Sequence, residues 1–303
     1  MDSGEFRLAS SPNSELTTGG RFVRPGSRPA QRGIAALLPL LLLSAPLCAQ
    51  GPEIGQAPPP LLTISRNSIA GGKLPLFARV AAEYSRYLKG VNWPSSYVAL
   101  RPVTGPGDAL ILTGYNSFES WGHDREEIEK SSVLKGKMEQ FAAQSGELVA
   151  QRREISAILQ PEISYRAKFD WSKVRYFDVI TILTIPGHGD EYLQNRKIVV
   201  EAHTKAQVDE HLLVYQVSSG VPGTTYFVIR PAETFEGLDL EKRHGEHYDR
   251  TLGEKNRARL HELFAASVLT QEEEYYAVDP AMSYVTAAWA GAEHAFWFGK
   301  PQP

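Results

Sequence analysis

The residues of this sequence best suited to chemistry are its histidines and its aromatic side chains. His244-Gly245-Glu246-His247 presents two imidazoles three residues apart, with Glu241 close by. On a helix they would share a face and could bind a metal ion. The stretch is very polar, contains the helix-weakening Gly245 and lacks zinc-hydrolase spacing, so it is read as a solvated loop or helix end rather than a metal site; no metal site is assigned. His188, between Gly187 and Gly189, stands where a helix is expected to open, either as a turn residue or facing an anion. His203 and His211 flank the turn into an expected strand. Trp93, Tyr97, Tyr115, Trp121, Tyr215, Tyr226 and Phe227 lie on or beside expected strands, where alternate positions share a face. Such rings either line a site for a flat apolar ligand or fill a core. The ligand-binding candidates are therefore Trp93, Tyr115, Trp121, His188, His203, His211 and Tyr215.

Several chemistries are disfavoured. The sequence has no phosphate-binding glycine loop followed by Lys-Ser/Thr, no Gly-x-Ser-x-Gly elbow and no zinc-type cysteine cluster. A net charge of −3 over 303 residues gives no electrostatic footprint for a nucleic-acid backbone, and none is expected as a partner. At 42% hydrophobic and 22% charged, the chain can bury a large core.

Arg21, Arg24, Arg28 and Arg32 precede an apolar run from Ile34 to Leu47 that ends in small residues. This is the pattern of a secretory signal with cleavage after Ala49, too short to span a bilayer comfortably, so no stable membrane span is expected after cleavage. Residues 1–49 read as leader and signal peptide, and a periplasmic or secreted location follows. The only cysteine, Cys48, would leave with the leader. Residues 50–60, rich in proline, read as an extended linker.

The elements that must position the candidates come in two matching sets. Runs rich in β-branched and aromatic residues occur at Leu61–Arg66, Tyr97–Arg101 and Ala109–Tyr115, then at Phe177–Ile185, Leu212–Ser218 and Thr225–Arg230. The offset from Leu61 to Tyr97 is 36 and from Phe177 to Leu212 is 35; Tyr97 to Leu110 and Leu212 to Thr225 are both 13. Local echoes keep the register. Gly71-Gly72-Lys73 and Gly187-His188-Gly189 precede a first helix, Ser117-Phe118-Glu119 and Thr234-Phe235-Glu236 a later one, each of the latter with a Ser or Thr cap. Ile163-Ser164-Tyr165 and Met282-Ser283-Tyr284 read as short closing strands, and long amphipathic helices are expected through Val133–Ile155 and Arg257–Leu269. The boundaries are 61–170 for the first repeat, 171–285 for the second and 286–303 for an apolar C-terminal strap.

Each repeat is thus a ferredoxin-like βαββα unit whose sheet carries helices on one face and must have the other covered. The class is α+β, with tandem repeats forming an intramolecular pseudo-dimeric α/β barrel. On this element order and on the paired Ser/Thr-Phe-Glu and Ser-Tyr echoes, the region Leu61–Tyr284 resembles the dimeric α/β-barrel superfamily. That group includes antibiotic-biosynthesis-monooxygenase-like, NIPSNAP-like and tandem chlorite-dismutase-like proteins, and this chain looks like its uncharacterised exported bacterial members. The resemblance implies either a cofactor-free monooxygenase, with Asn92 and Trp93 or Asn116 and Trp121 read as its polar and aromatic groups, or a haem enzyme, with His203 or His211 as ligand. No sequence pattern marks a haem slot, and no cofactor is assigned. The expectation is an exported protein that binds a small apolar or aromatic molecule or serves a structural role, with oxidoreductase as the alternative and a homodimer as a candidate assembly.

Overall fold

A computed structural model describes residues 57–299. The leader, Cys48 and most of the linker lie outside the described residues. The first half contains β1 (Leu61–Ile69), α1 (Leu74–Gly90), β2 (Tyr97–Pro102), β3 (Asp108–Tyr115), α2 (Phe118–Lys130), α3 (Ser132–Gly146) and β4 (Val149–Leu159). The second contains β5 (Tyr176–Thr184), α4 (Gly189–Ala206), β6 (Leu213–Ser219), β7 (Thr225–Ala232), α5 (Leu240–Ser267) and β8 (Val268–Val278).

All strand pairings are antiparallel, and the strands close in the order β1-β3-β2-β8-β5-β7-β6-β4, with β4 returning to β1. The pairs β2·β8 and β4·β6 join the halves. This is a dimeric α/β barrel completed within one chain.

Two strands correct the sequence reading. β4 replaces the end of one expected long helix, and β8 begins at the last two residues of the other and continues through a stretch given no element; the runs Gln151–Glu154 and Gln271–Glu273 are polar and exposed and break the apolar alternation of a strand. Conversely, the expected closing strands are single bridges. Tyr165, from the first half, pairs with Leu212 beside β6, and Tyr284, from the second, pairs with Tyr97 in β2. The adjacent hydroxyls play matching parts: Ser164 accepts from the Val214 amide at 3.0 Å, and Ser283 from the Ala99 amide at 2.9 Å. Each half therefore stitches its tail to the other half's sheet.

Strand alternation decides what fills the barrel. Leu62, Ile64, Leu100, Leu110, Leu112, Phe177, Val179, Leu213, Tyr215, Phe227, Ile229 and Tyr276 point inward and form one buried cluster. Each fully buried aliphatic side chain contributes about 1.5–3 kcal/mol. One end of the barrel is stoppered by Pro59, whose carbonyl accepts from the Tyr215 hydroxyl at 3.0 Å, and by Trp171 and Trp289. The C-terminal segment, with α6 (Ala287–Ala290) and α7 (His294–Phe298), lies over that end; Trp297 is 3% exposed and its Nε1 donates to the Ser172 carbonyl at 2.9 Å. At the other end Arg66 points inward between Asp108, at 2.5 Å, and Glu274, at 2.8 Å. Among the described residues no helix is long and apolar enough to cross a membrane.

Candidate functional site

At its Arg66 end the barrel opens into a polar mouth of about 270 Å³, lined among others by Arg66, Asp108, Arg153, Thr181 and Glu272. Its middle is packed: the spaces left there measure about 10 and 30 Å³, too small for a flat macrocycle such as haem, which corrects the expectation that alternate strand aromatics line a ligand chamber inside the barrel. The physical reason is parity: with Val98 and Leu100 of β2 and Leu110 and Leu112 of β3 turned inward, Tyr97 and Tyr115 must point outward, beneath the helices.

There they wall a cleft of about 560 Å³ between the first half's sheet and α1, α2 and α3. Trp93, from the loop after α1, and Trp121, on α2, line the same cleft. Three sequence candidates, Trp93, Tyr115 and Trp121, are thus brought together. Tyr84 stacks on Tyr97 with ring centres 6.3 Å apart and meets Phe141 edge-on at 5.2 Å; Tyr115 stacks on Trp121 at 6.2 Å. The helix that carries Trp121 is held by a reciprocal cap, Ser117 and Ser120 each accepting from the other's backbone amide.

Polar groups stand at the margins of this aromatic wall. Asp124 is 7% exposed; burial pushes its carboxyl up, opposed by the hydroxyls of Ser95 and Tyr115, which favour the ionised form. Burial likewise pushes the Tyr84 phenol up to about 12. Elsewhere on the lining, Arg152 donates to Asn67 at 2.8 Å and to Ser145 at 3.0 Å, and Glu154 accepts from Ser65 at 2.7 Å. Asn92 and Asn116 are exposed and do not line the cleft. Sequence reasoning missed Tyr84, Phe141 and Asp124. Tyr84 and Phe141 carried a helical apolar signal, whereas Asp124 was one acid among many on a charged helix.

The remaining candidates lie elsewhere. Tyr215 is in the barrel core. His188 is the N-cap of α4, with Nδ1 3.4 Å from Glu191. His211 sits beside the stoppered end, its Nδ1 2.6 Å from the Arg166 carbonyl and its ring 4.8 Å from Phe169. His203, in the last turn of α4, meets Glu210, from the loop that follows, and His244, remote in sequence; their donor atoms lie with its own within 4.8 Å of one another. His244 and His247 do not share a helix face: α5 is interrupted at Gly245, with φ 55° and ψ −177°, a conformation open to glycine.

No protein-family model matches the chain, and no curated protein matches it. Solved structures do overlay on it. A candidate monooxygenase from Fusobacterium nucleatum aligns at 13% identity and a TM-score of 0.49, covering 73% of this chain and 93% of its own. An anthrone oxidase-like protein aligns at 12% and 0.49, covering 72% and 91%. A chlorite dismutase from Candidatus Nitrospira defluvii, a mutant in complex with cyanide, aligns at 12% and 0.41, covering 77% and 94%. The likeness is one of fold. The architecture itself rests on the strand order and register of this chain.

Proposed function

We propose that the protein is an exported binder of a small, flat, mainly apolar molecule with a polar edge, held in the cleft beneath α1, α2 and α3. The observation that carries this reading is the cleft itself: about 560 Å³, within the range of small-molecule sites, walled by Tyr84, Tyr97, Tyr115, Trp121 and Phe141, with a buried carboxyl, Asp124, on its lining. Stacked rings give such a site contact area, and the few polar groups orient the ligand. Export belongs to the same reading and rests on the leader; protein recovered from the periplasm is expected to begin at Gln50.

Calorimetric titration with 2-naphthol, a bicyclic ring bearing one hydroxyl, tests the cleft. Trp121→Ala is expected to weaken binding by about tenfold or more, corresponding to about 1.4 kcal/mol. Equal affinity in the variant and the parent, or no binding at all by a series of such bicyclic phenols, would sink the proposal.

A second reading, an oxygenase working without a cofactor, is favoured by the raised Asp124 carboxyl, since a carboxylate of increased basicity in an apolar cleft can take a proton from an acidic O–H or C–H. Under that reading Asp124→Asn stops ligand-dependent oxygen uptake while binding persists.

A further inference from the structure

In the second half of the chain, away from the cleft, α4, the loop before β6 and the start of α5 converge. We propose that His203, Glu210 and His244 form a binding site for a divalent first-row transition-metal ion.

The donor geometry is the first ground. An ion about 2.0–2.2 Å from nitrogen and oxygen donors holds them roughly 3–3.5 Å apart. His203 Nε2 lies 3.4 Å from Oε2 of Glu210, within that range, while His244 Nε2 is hydrogen-bonded to the same oxygen at 2.8 Å and has to give up that proton and open by a few tenths of an ångström to admit the ion. The second ground is the tautomer. His203 Nδ1 is 2.8 Å from the Val199 carbonyl, which can only accept, so Nδ1 carries the proton and Nε2 is left to offer its lone pair. A ligand histidine is commonly oriented in this way, by donating its other ring N–H to a backbone carbonyl.

Unmet bonding capacity is the third ground. His203 and Glu210 have side chains 2% and 0% exposed, yet His203 Nε2 and Glu210 Oε1 have no hydrogen-bond partner among the described residues. A proton shared between imidazole and carboxylate would draw them to about 2.7–2.9 Å, closer than the 3.4 Å observed. Two facing lone pairs at that separation instead fit a cation between them. Finally, the donors are not demanded by the fold: α1, the counterpart of α4, builds the same layer in the first half without a histidine.

The surroundings suit a metal centre. Tyr165 and Tyr248 pack at 5.3 and 4.9 Å from the His203 ring, and Tyr248 stacks on His244 at 4.5 Å, fixing both imidazoles. The His244 side chain is 24% exposed and gives the site its contact with solvent. Two imidazoles and one carboxylate suit zinc and its first-row neighbours, and three protein donors leave a coordination position for water or a ligand.

The test uses tag-free full chain stripped with a chelator. Calorimetry with Zn²⁺ is expected to give one ion per chain, and Co²⁺ to give visible absorption from low-coordinate metal. Glu210→Gln and His244→Ala are each expected to weaken Zn²⁺ binding by about 100-fold or more, with His247→Ala within about threefold of the parent. Absence of binding, or equal binding by parent, Glu210→Gln and His244→Ala, overturns the site. Should Glu210→Gln fail to fold, as judged by circular dichroism, His244→Ala decides alone, because its partly exposed ring is not core.

Discussion

Gly220→Ala is expected to lower stability by about 3 kcal/mol or more, adding strain at a glycine backbone conformation to overpacking. Gly220 follows β6 at the seam with β4 and has φ +100°, a region that side chains rarely adopt. A Cβ there would stand 2.1 Å from the Glu154 carbonyl oxygen and 2.8 Å from the Ile155 Cα, both backbone atoms of the facing strand. Neither can swing aside as a side-chain tip would. The seam matters because it is one of two places where the halves join, through pairs that include Ser156 with Ser219 and the 2.7 Å contacts of Ser156 with the Ser218 and Ser219 hydroxyls. In a chain of this size the loss corresponds to a fall in Tm of about 6–10 °C. Gly223→Ala, where a Cβ would meet nothing within 4 Å, is the control and should stay within about 0.5 kcal/mol. Superimposable melts for Gly220→Ala and the parent would contradict the described seam.

The second large effect is expected at the open end of the barrel. Arg66→Met should cost about 3–5 kcal/mol at neutral pH, because it leaves two buried carboxylates without their counter-charge. The Asp108 and Glu274 side chains are 7% and 5% exposed, and the guanidinium of Arg66 lies between them, in reach of both. Methionine keeps much of the volume and removes only the charge and its donors. The sign of the pH dependence follows. In the variant the folded state gains by taking up a proton that the unfolded chain does not hold, so stability rises as the pH falls and the deficit against the parent shrinks. Urea denaturation at pH 7 and at pH 5 measures both parts. A variant as stable as the parent at pH 7, or one whose deficit grows on acidification, would remove Arg66 from this role. The triple variant that also carries Asp108→Asn and Glu274→Gln should recover much of the loss, since it removes the uncompensated charges as well.

How far the sequence reaches depends on how local the physical signal is. The repeat was legible because β-branched and aromatic runs recur at offsets of 36 and 35 and then of 13 in both halves. Ser117 could be read as a cap because capping is settled within one turn. β4 and β8 were hidden because their middles carry charged runs, Arg152, Arg153 and Glu154 in one case and Glu272, Glu273 and Glu274 in the other, so neither period stands out. Trp93, Tyr115 and Trp121 could be named as a group, but not the chamber they line. Whether a strand residue faces the barrel or the helices is a matter of parity, and a shift of one residue reverses it.

By itself, then, the sequence determined the duplicated α+β unit, the two open sheet faces that must cover one another, and a leader with the pattern of an export signal. Those follow from patterns within some forty residues of chain. Only the tertiary structure decided that the middle of the barrel is filled, that the aromatic cleft lies outside it beneath the first half's helices, and that His203, Glu210 and His244 meet. The last two of these are separated by 34 positions and an intervening pair of strands, and nothing in local propensity brings them together. Their meeting depends on how α4 and α5 pack over one sheet, and that is set by the whole barrel.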